Sequence, residues 1–250
     1  MLSEFLAKPY YQRQLICFVD DSQLAKNREK VATLLNARVT ANTVLQDMMR
    51  NLLKKVDHFY ELTGKRISVA PMSKKEDFRV PPSHPRERIL YVGHPLEGME
   101  PVHIPMADFH LYLFEKKFAE IISILMHLGA KTIRVERKTG WGRDLAGLMS
   151  VGIPAAGPAS GDLLFKVEFA GTDNPKLPGV RLWFRNEPSW QQVARGRLEF
   201  GQKQYSVTLS NQEDYGVTQT LMTNAVKAGF ELGGNFREHQ ATVWIVSGEF

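Results

Sequence analysis

The chain has 250 residues, of which 43% are hydrophobic, 10% aromatic and 24% charged. This composition excludes a disordered chain, a collagen-like chain and a small disulfide-stapled domain, and it suffices for a hydrophobic core. The single cysteine, Cys17, cannot form an internal disulfide, and its apolar neighbours predict a buried thiol. Because neither a signal-peptide core nor a run of ~20 apolar residues is visible, we expect a soluble cytoplasmic protein.

The excess positive charge lies in the first third of the chain. The net charge is +5, and residues 1–90 hold 16 basic against 10 acidic residues, which leaves 16 against 17 for residues 91–250. This asymmetry favours an acidic macromolecular partner, which is a protein, a nucleic acid or an anionic membrane surface. The candidate binding residues are Lys54, Lys55, Lys65 and Arg66. The alternative interpretation is an ordinary solvated helix surface.

The pattern of apolar residues predicts a helical N-terminal part over residues 1–65, with a break between two helices near residues 39–44. Residues 66–105 hold seven of the 13 prolines and read as a connector with two short strands, Ile67–Ala70 and Ile89–Val92. Residues 106–250 would then form an α+β domain.

The C-terminal part contains the clearest single element, a helix over residues 107–129. Its apolar side chains recur every three or four residues, and Gly129 ends it. Five strands and two further helices are predicted after it: Thr132–Lys138, Leu163–Phe169, Val180–Phe184, Tyr205–Leu209 and Thr242–Val246, with helices Pro188–Leu198 and Thr218–Ala228. Since strands and helices do not alternate regularly, the fold class is α+β, with a helical N-terminal part followed by a mostly antiparallel sheet and packed helices.

A glycine-rich segment, residues 140–161, separates the first two of these strands. It holds six of the 19 glycines and only one basic and one acidic residue. Three interpretations remain open: a surface loop or lid, a loop that holds a ligand through its backbone amides, and a segment that inserts into a membrane or a partner. The sequences typical of phosphate-binding loops are absent. The candidate binding residues here are Trp141, Arg143 and Leu148.

The element order from Thr132 to Val246 is similar to the core of the membrane-attack-complex and gasdermin-like pore formers. Both have a strand, an apolar glycine-rich insert, a return strand and then further strands and helices. The resemblance implies an alternative function, that of a membrane-permeabilising effector that inserts residues 140–161. The aromatic–glycine signature of the attack-complex family is absent, because residues 230–234 share only a glycine pair with it.

A second alternative is a metal-dependent enzyme. His103, Asp108 and His110 offer two imidazoles and a carboxylate at the start of the predicted helix, and such sets occur in iron and zinc sites. Their spacing matches no standard motif, and capping and packing at a helix start is the simpler interpretation. No Gly-x-Ser-x-Gly elbow is present. The first hypothesis is therefore a non-enzymatic protein, without cofactor or metal, that binds an acidic macromolecule.

Overall fold

A computed structural model of the chain describes residues 15–21, 43–96, 98–99, 101–142, 162–234 and 239–250. The strands in this part of the chain are β1 (Leu15–Val19), β2 (Ser68–Pro71), β3 (Leu90–Gly93), β4 (His103–Pro105), β5 (Thr132–Thr139), β6 (Leu163–Glu168), β7 (Gln204–Asn211) and β8 (Thr242–Glu249). The α-helices are α1 (Thr43–Thr63), α2 (Phe109–His127), α3 (Pro188–Phe200) and α4 (Gln219–Lys227). Helices together with mostly antiparallel sheets confirm the predicted α+β class.

The chain packs as two compact units, of which the first combines Met1–His110 with Tyr215–Glu238. Its sheet has the order β2-β1-β3-β4, in which β1 runs parallel to β2 and antiparallel to β3. One face of the sheet carries a cluster of buried apolar side chains that includes Phe18 and Tyr91. The division of the chain at residues 65 and 105 stays a prediction, although β2, β3 and β4 belong to this sheet.

The prediction of a helix over residues 1–65 is wrong at β1. The five residues Leu15–Val19 are all buried, and they form a central strand between β2 and β3. A strand that is covered on both faces has no alternation of apolar and polar residues, so its pattern cannot be told from that of a buried helix. A helix is confirmed at α1, and residues 22–42 lie outside the described part.

The second unit combines Leu111–Asp214 with His239–Phe250. Its sheet has the order β6-β5-β8-β7, and all three strand pairs are antiparallel. The helix α2 supplies the core of this unit, because Phe114 and Phe118 pack edge-to-face on Trp244 with ring centroids 4.8 and 5.6 Å apart. The helix ends before Gly129, whose φ of 88° is left-handed.

The predicted strand Val180–Phe184 is wrong. These residues form bends that lead into a 3₁₀ turn at Phe184–Asn186. The reason lies on α2, where the Glu120 carboxylate accepts three backbone N–H groups at 2.8, 2.9 and 2.8 Å, from Leu182, Trp183 and Phe184. A carboxylate that gathers three successive amides holds the backbone in a turn, since strand partners would need those amides on alternate sides.

Candidate functional site

A cavity of about 520 Å³ lies beside β1 in the first unit. Its lining comes from the end of β1, from one side of α1, from the residues before β3 and from the end of α4. Eleven residues form it: Cys17, Phe18, Val19, Asn51, Leu52, Lys54, Lys55, His58, Glu87, Arg88 and Ala228. Volumes of this order are typical of pockets that hold small molecules or a protruding group of a larger partner.

The helix α1 places its basic residues at this cavity through its amphipathic pattern. Leu52 and Phe59 are buried, and the Phe59 ring meets Phe230 edge-to-face with centroids 6.1 Å apart. Residues between these anchors therefore face outward or lie at the boundary, so Lys54 is exposed and Lys55 is half-buried.

Lys55 also connects two helices of the first unit. Its Nζ donates a hydrogen bond of 2.8 Å to the carbonyl of Gly229, just beyond α4. A cation just beyond the end of α4 lies favourably near the negative end of the helix dipole.

Arg88 lines the cavity from a different part of the chain, the residues before β3. Its backbone conformation is uncommon. Its φ is 63°, a left-handed value that costs a residue other than glycine about 1 kcal/mol or more. Two backbone bonds hold the segment: Glu231 N–H donates to the Arg88 carbonyl at 3.0 Å, and Leu90 N–H donates to the Glu231 carbonyl at 2.9 Å. Strain of this kind is concentrated at functional sites.

The charge of the lining is unbalanced. Lys54, Lys55 and Arg88 are cationic, and Glu87 is the single carboxylate among the described residues that line the cavity. His58 adds an imidazole whose Nδ1 lies 3.5 Å from the Glu61 carboxylate. A concave site whose described lining holds three cations and one anion attracts negatively charged groups.

Cys17 forms part of the wall but does not provide a nucleophile. Its side chain is fully buried, as expected from its apolar neighbours. Burial raises the pKa of the thiol to about 12, more than the nearby charge of Lys55 lowers it. The thiol therefore stays protonated at neutral pH, and thiolate chemistry is not supported here.

Two of the four predicted basic residues, Lys54 and Lys55, meet at the cavity. Lys65 and Arg66 follow the end of α1 and do not line it, and the Arg66 guanidinium lies 5.8 Å from the Tyr60 ring centroid. The sequence analysis missed Arg88 and His58. Nothing in the local sequence marks Arg88, because only the pairing of β1 with β3 brings it to the end of β1.

Of the three candidate binding residues in the glycine-rich segment, the structure describes Trp141 but not the other two. Trp141 is buried in the second unit: its backbone N–H donates to Thr242 Oγ1 at 3.1 Å, and its backbone carbonyl accepts from Trp244 Nε1 at 2.9 Å. Its ring packs edge-to-face on Phe114 with centroids 5.9 Å apart, so Trp141 is a core residue. Arg143 and Leu148 lie outside the described residues. The interpretations of residues 143–161 therefore stay predictions. The flanking strands β5 and β6 pair antiparallel.

His103, Asp108 and His110 belong to the first unit, but they have different partners. His103 Nδ1 lies 3.2 Å from the carbonyl of Pro101, whereas His110 Nε2 lies 2.7 Å from the carbonyl of Val217. Burial raises the pKa of Asp108. Among the described residues no group of three or more His, Cys, Asp or Glu side chains is arranged to hold a metal ion. The metal-dependent enzyme therefore receives no support from this part of the chain.

In the described part of the chain, no helix has the length and apolar character needed to cross a membrane. The element order that is similar to that of pore formers loses one predicted strand, because Val180–Phe184 is not a strand. Comparisons of the chain with protein-family models, with curated proteins and with solved structures gave no match.

Proposed function

We propose that this protein binds an acidic macromolecular partner through its first unit, and that the cavity beside β1 receives an anionic group of that partner. The observation that carries the proposal is the convergence of Lys54, Lys55 and Arg88 on one cavity, against the single carboxylate of Glu87. Their elements are far apart in sequence, so the fold concentrates positive charge that the sequence only spreads over residues 1–90. Binding without catalysis and a cytoplasmic location are part of the proposal. The location is supported by the single, buried thiol.

Salt dependence tests the proposal, since binding driven by cations weakens steeply as salt rises. The probes are a single-stranded oligonucleotide, polyglutamate and vesicles with anionic lipid, each titrated with the full chain from low to physiological salt. We expect one of them to bind with strong salt dependence. Reversal of the two exposed cations of the lining, Lys54 and Arg88, to glutamate should then abolish binding.

The matched control reverses two exposed lysines that do not line the cavity, Lys74 and Lys75. It changes the net charge by the same amount, so a general effect of charge would weaken both variants equally. Binding that is equal in the two variants, or absent with all three probes, would overturn the proposal. Insertion of residues 140–161 into membranes remains the alternative, and leakage of vesicle contents would support it instead.

A further inference from the structure

Two elements of the fold supply the three cations that line the cavity beside β1. Lys54 and Lys55 come from α1, and Arg88 comes from the residues before β3. A carboxylate has one charge and two oxygens, which two cations satisfy. A phosphate monoester carries about −1.5 to −2 at neutral pH and three acceptor oxygens, so it matches a site lined by three cations.

The remaining lining residues differ from those expected for a small inorganic anion. Val19, Leu52 and Ala228 supply apolar surface, and Asn51 supplies a carboxamide that both donates and accepts hydrogen bonds. A cavity of about 520 Å³ lies within the range of pockets that enclose whole small molecules, and inorganic phosphate would leave most of it unfilled. An organic group that combines apolar surface with a polar edge matches these residues.

We infer that the cavity binds a nucleoside monophosphate, either as a free nucleotide or as the 5′-phosphorylated end of a nucleic acid strand. The phosphate lies among Lys54, Lys55 and Arg88, and the heterocycle packs on the apolar wall with its polar edge toward Asn51. This inference rests on the proposed function, for which it names the anionic group. Lys55 keeps its hydrogen bond to the Gly229 carbonyl, because an ammonium group has three donors.

Isothermal titration of the full chain with adenosine monophosphate, adenosine and inorganic phosphate tests the ligand class. We expect the nucleotide to bind about tenfold or more tightly than either fragment, because only the nucleotide uses both parts of the cavity. A 5′-phosphorylated oligonucleotide and its 5′-hydroxyl form distinguish a strand end from a free nucleotide. A nucleotide that binds no better than adenosine, or a dicarboxylate such as succinate that binds equally well, would overturn the inference.

The variants Lys54→Glu and Arg88→Glu test whether the ligand binds in the cavity. Both side chains are exposed, so the fold tolerates their replacement, and each should weaken nucleotide binding about tenfold or more. Lys74→Glu, an equally exposed lysine outside the cavity, is the matched control. Arg88→Gln serves as a second variant at this position, because it removes the positive charge without introducing a negative one. Unchanged binding in the cavity variants would refute the site.

Different experimental results would overturn the proposed function and the nucleotide inference. If an acidic macromolecule binds with strong salt dependence but the nucleotide does not, only the nucleotide inference is overturned. If the nucleotide binds and none of the macromolecular probes does, the occupant is the free nucleotide, and the macromolecular partner is overturned alone.

Discussion

Truncation of Phe118 to alanine removes the side chain that connects α2 to the sheet of the second unit. Phe118 is 1% exposed, and its ring packs edge-to-face on Phe165 and on Trp244 with centroids 5.6 Å away in each case. Loss of a buried phenylalanine costs about 3–5 kcal/mol, through lost burial and through the space that remains. The two aromatic contacts, worth about 0.5–1.5 kcal/mol each, place the expected loss in the upper part of that range.

Urea unfolding followed by tryptophan fluorescence measures this loss. A domain is stable by only about 5–15 kcal/mol, so Phe118→Ala should lower the unfolding midpoint strongly or leave the second unit unfolded. Phe200→Ala is the matched control, because the same atoms are removed from a side chain that is 75% exposed, and the expected change is within about 0.5 kcal/mol. Equal midpoints for Phe118→Ala and the wild type would show that α2 is peripheral and that its packing has been misjudged.

Two further predictions concern polar groups. Glu120→Gln keeps the shape of the side chain but removes its charge and places an NH₂ near an amide donor, so a loss of about 2 kcal/mol is expected in the same urea assay. Glu199→Gln, on an exposed ion pair with Arg195, should cost less than about 0.5 kcal/mol, and equal losses would contradict the role of Glu120. His94 is buried, and burial lowers its pKa from about 6.5 to about 4. The unfolded chain therefore takes up a proton first as pH falls, so stability that is present above pH 6.5 is lost toward pH 4, by up to about 3 kcal/mol. Unfolding curves at several pH values should show this loss, and His94→Gln should reduce it; an identical pH dependence in the variant would refute the assignment.

The second unit could be predicted largely from the sequence, because its helices and strands have long stretches of regularly spaced apolar residues. The apolar residues of α2 recur at helical spacing over more than five turns, and Phe114, Phe118, Ile121, Leu125 and Leu128 are indeed buried. The strands β5 and β7 alternate between buried and exposed residues along most of their length, as a sheet with one covered face requires. Each of these patterns is decided by the residues within the element itself.

The errors arise where a distant residue decides the local structure. At β1, a central strand of its sheet, all five residues are buried, so the apolar run carries no period. At residues 180–184, the apolar and aromatic residues are typical of a strand, but the Glu120 carboxylate on α2 accepts three successive amides and holds the backbone in a turn. Local periodicity cannot show either interaction, since both depend on pairing across the fold.

The candidate site shows the same limit at the level of single residues. Lys54 and Lys55 are neighbours, and composition counts them as equivalent positive charges. The fold separates them: Lys55 is half-buried and bonded to the carbonyl of Gly229, whereas Lys54 is exposed at the cavity. Loss of Lys55 would affect both stability and binding, so a binding defect in that variant alone would have two explanations. Lys54 and Arg88 are the better probes, because their side chains are exposed and they approach the cavity from different elements. Charge asymmetry along a sequence therefore indicates which part of a chain to test, but only tertiary structure identifies which cations act together.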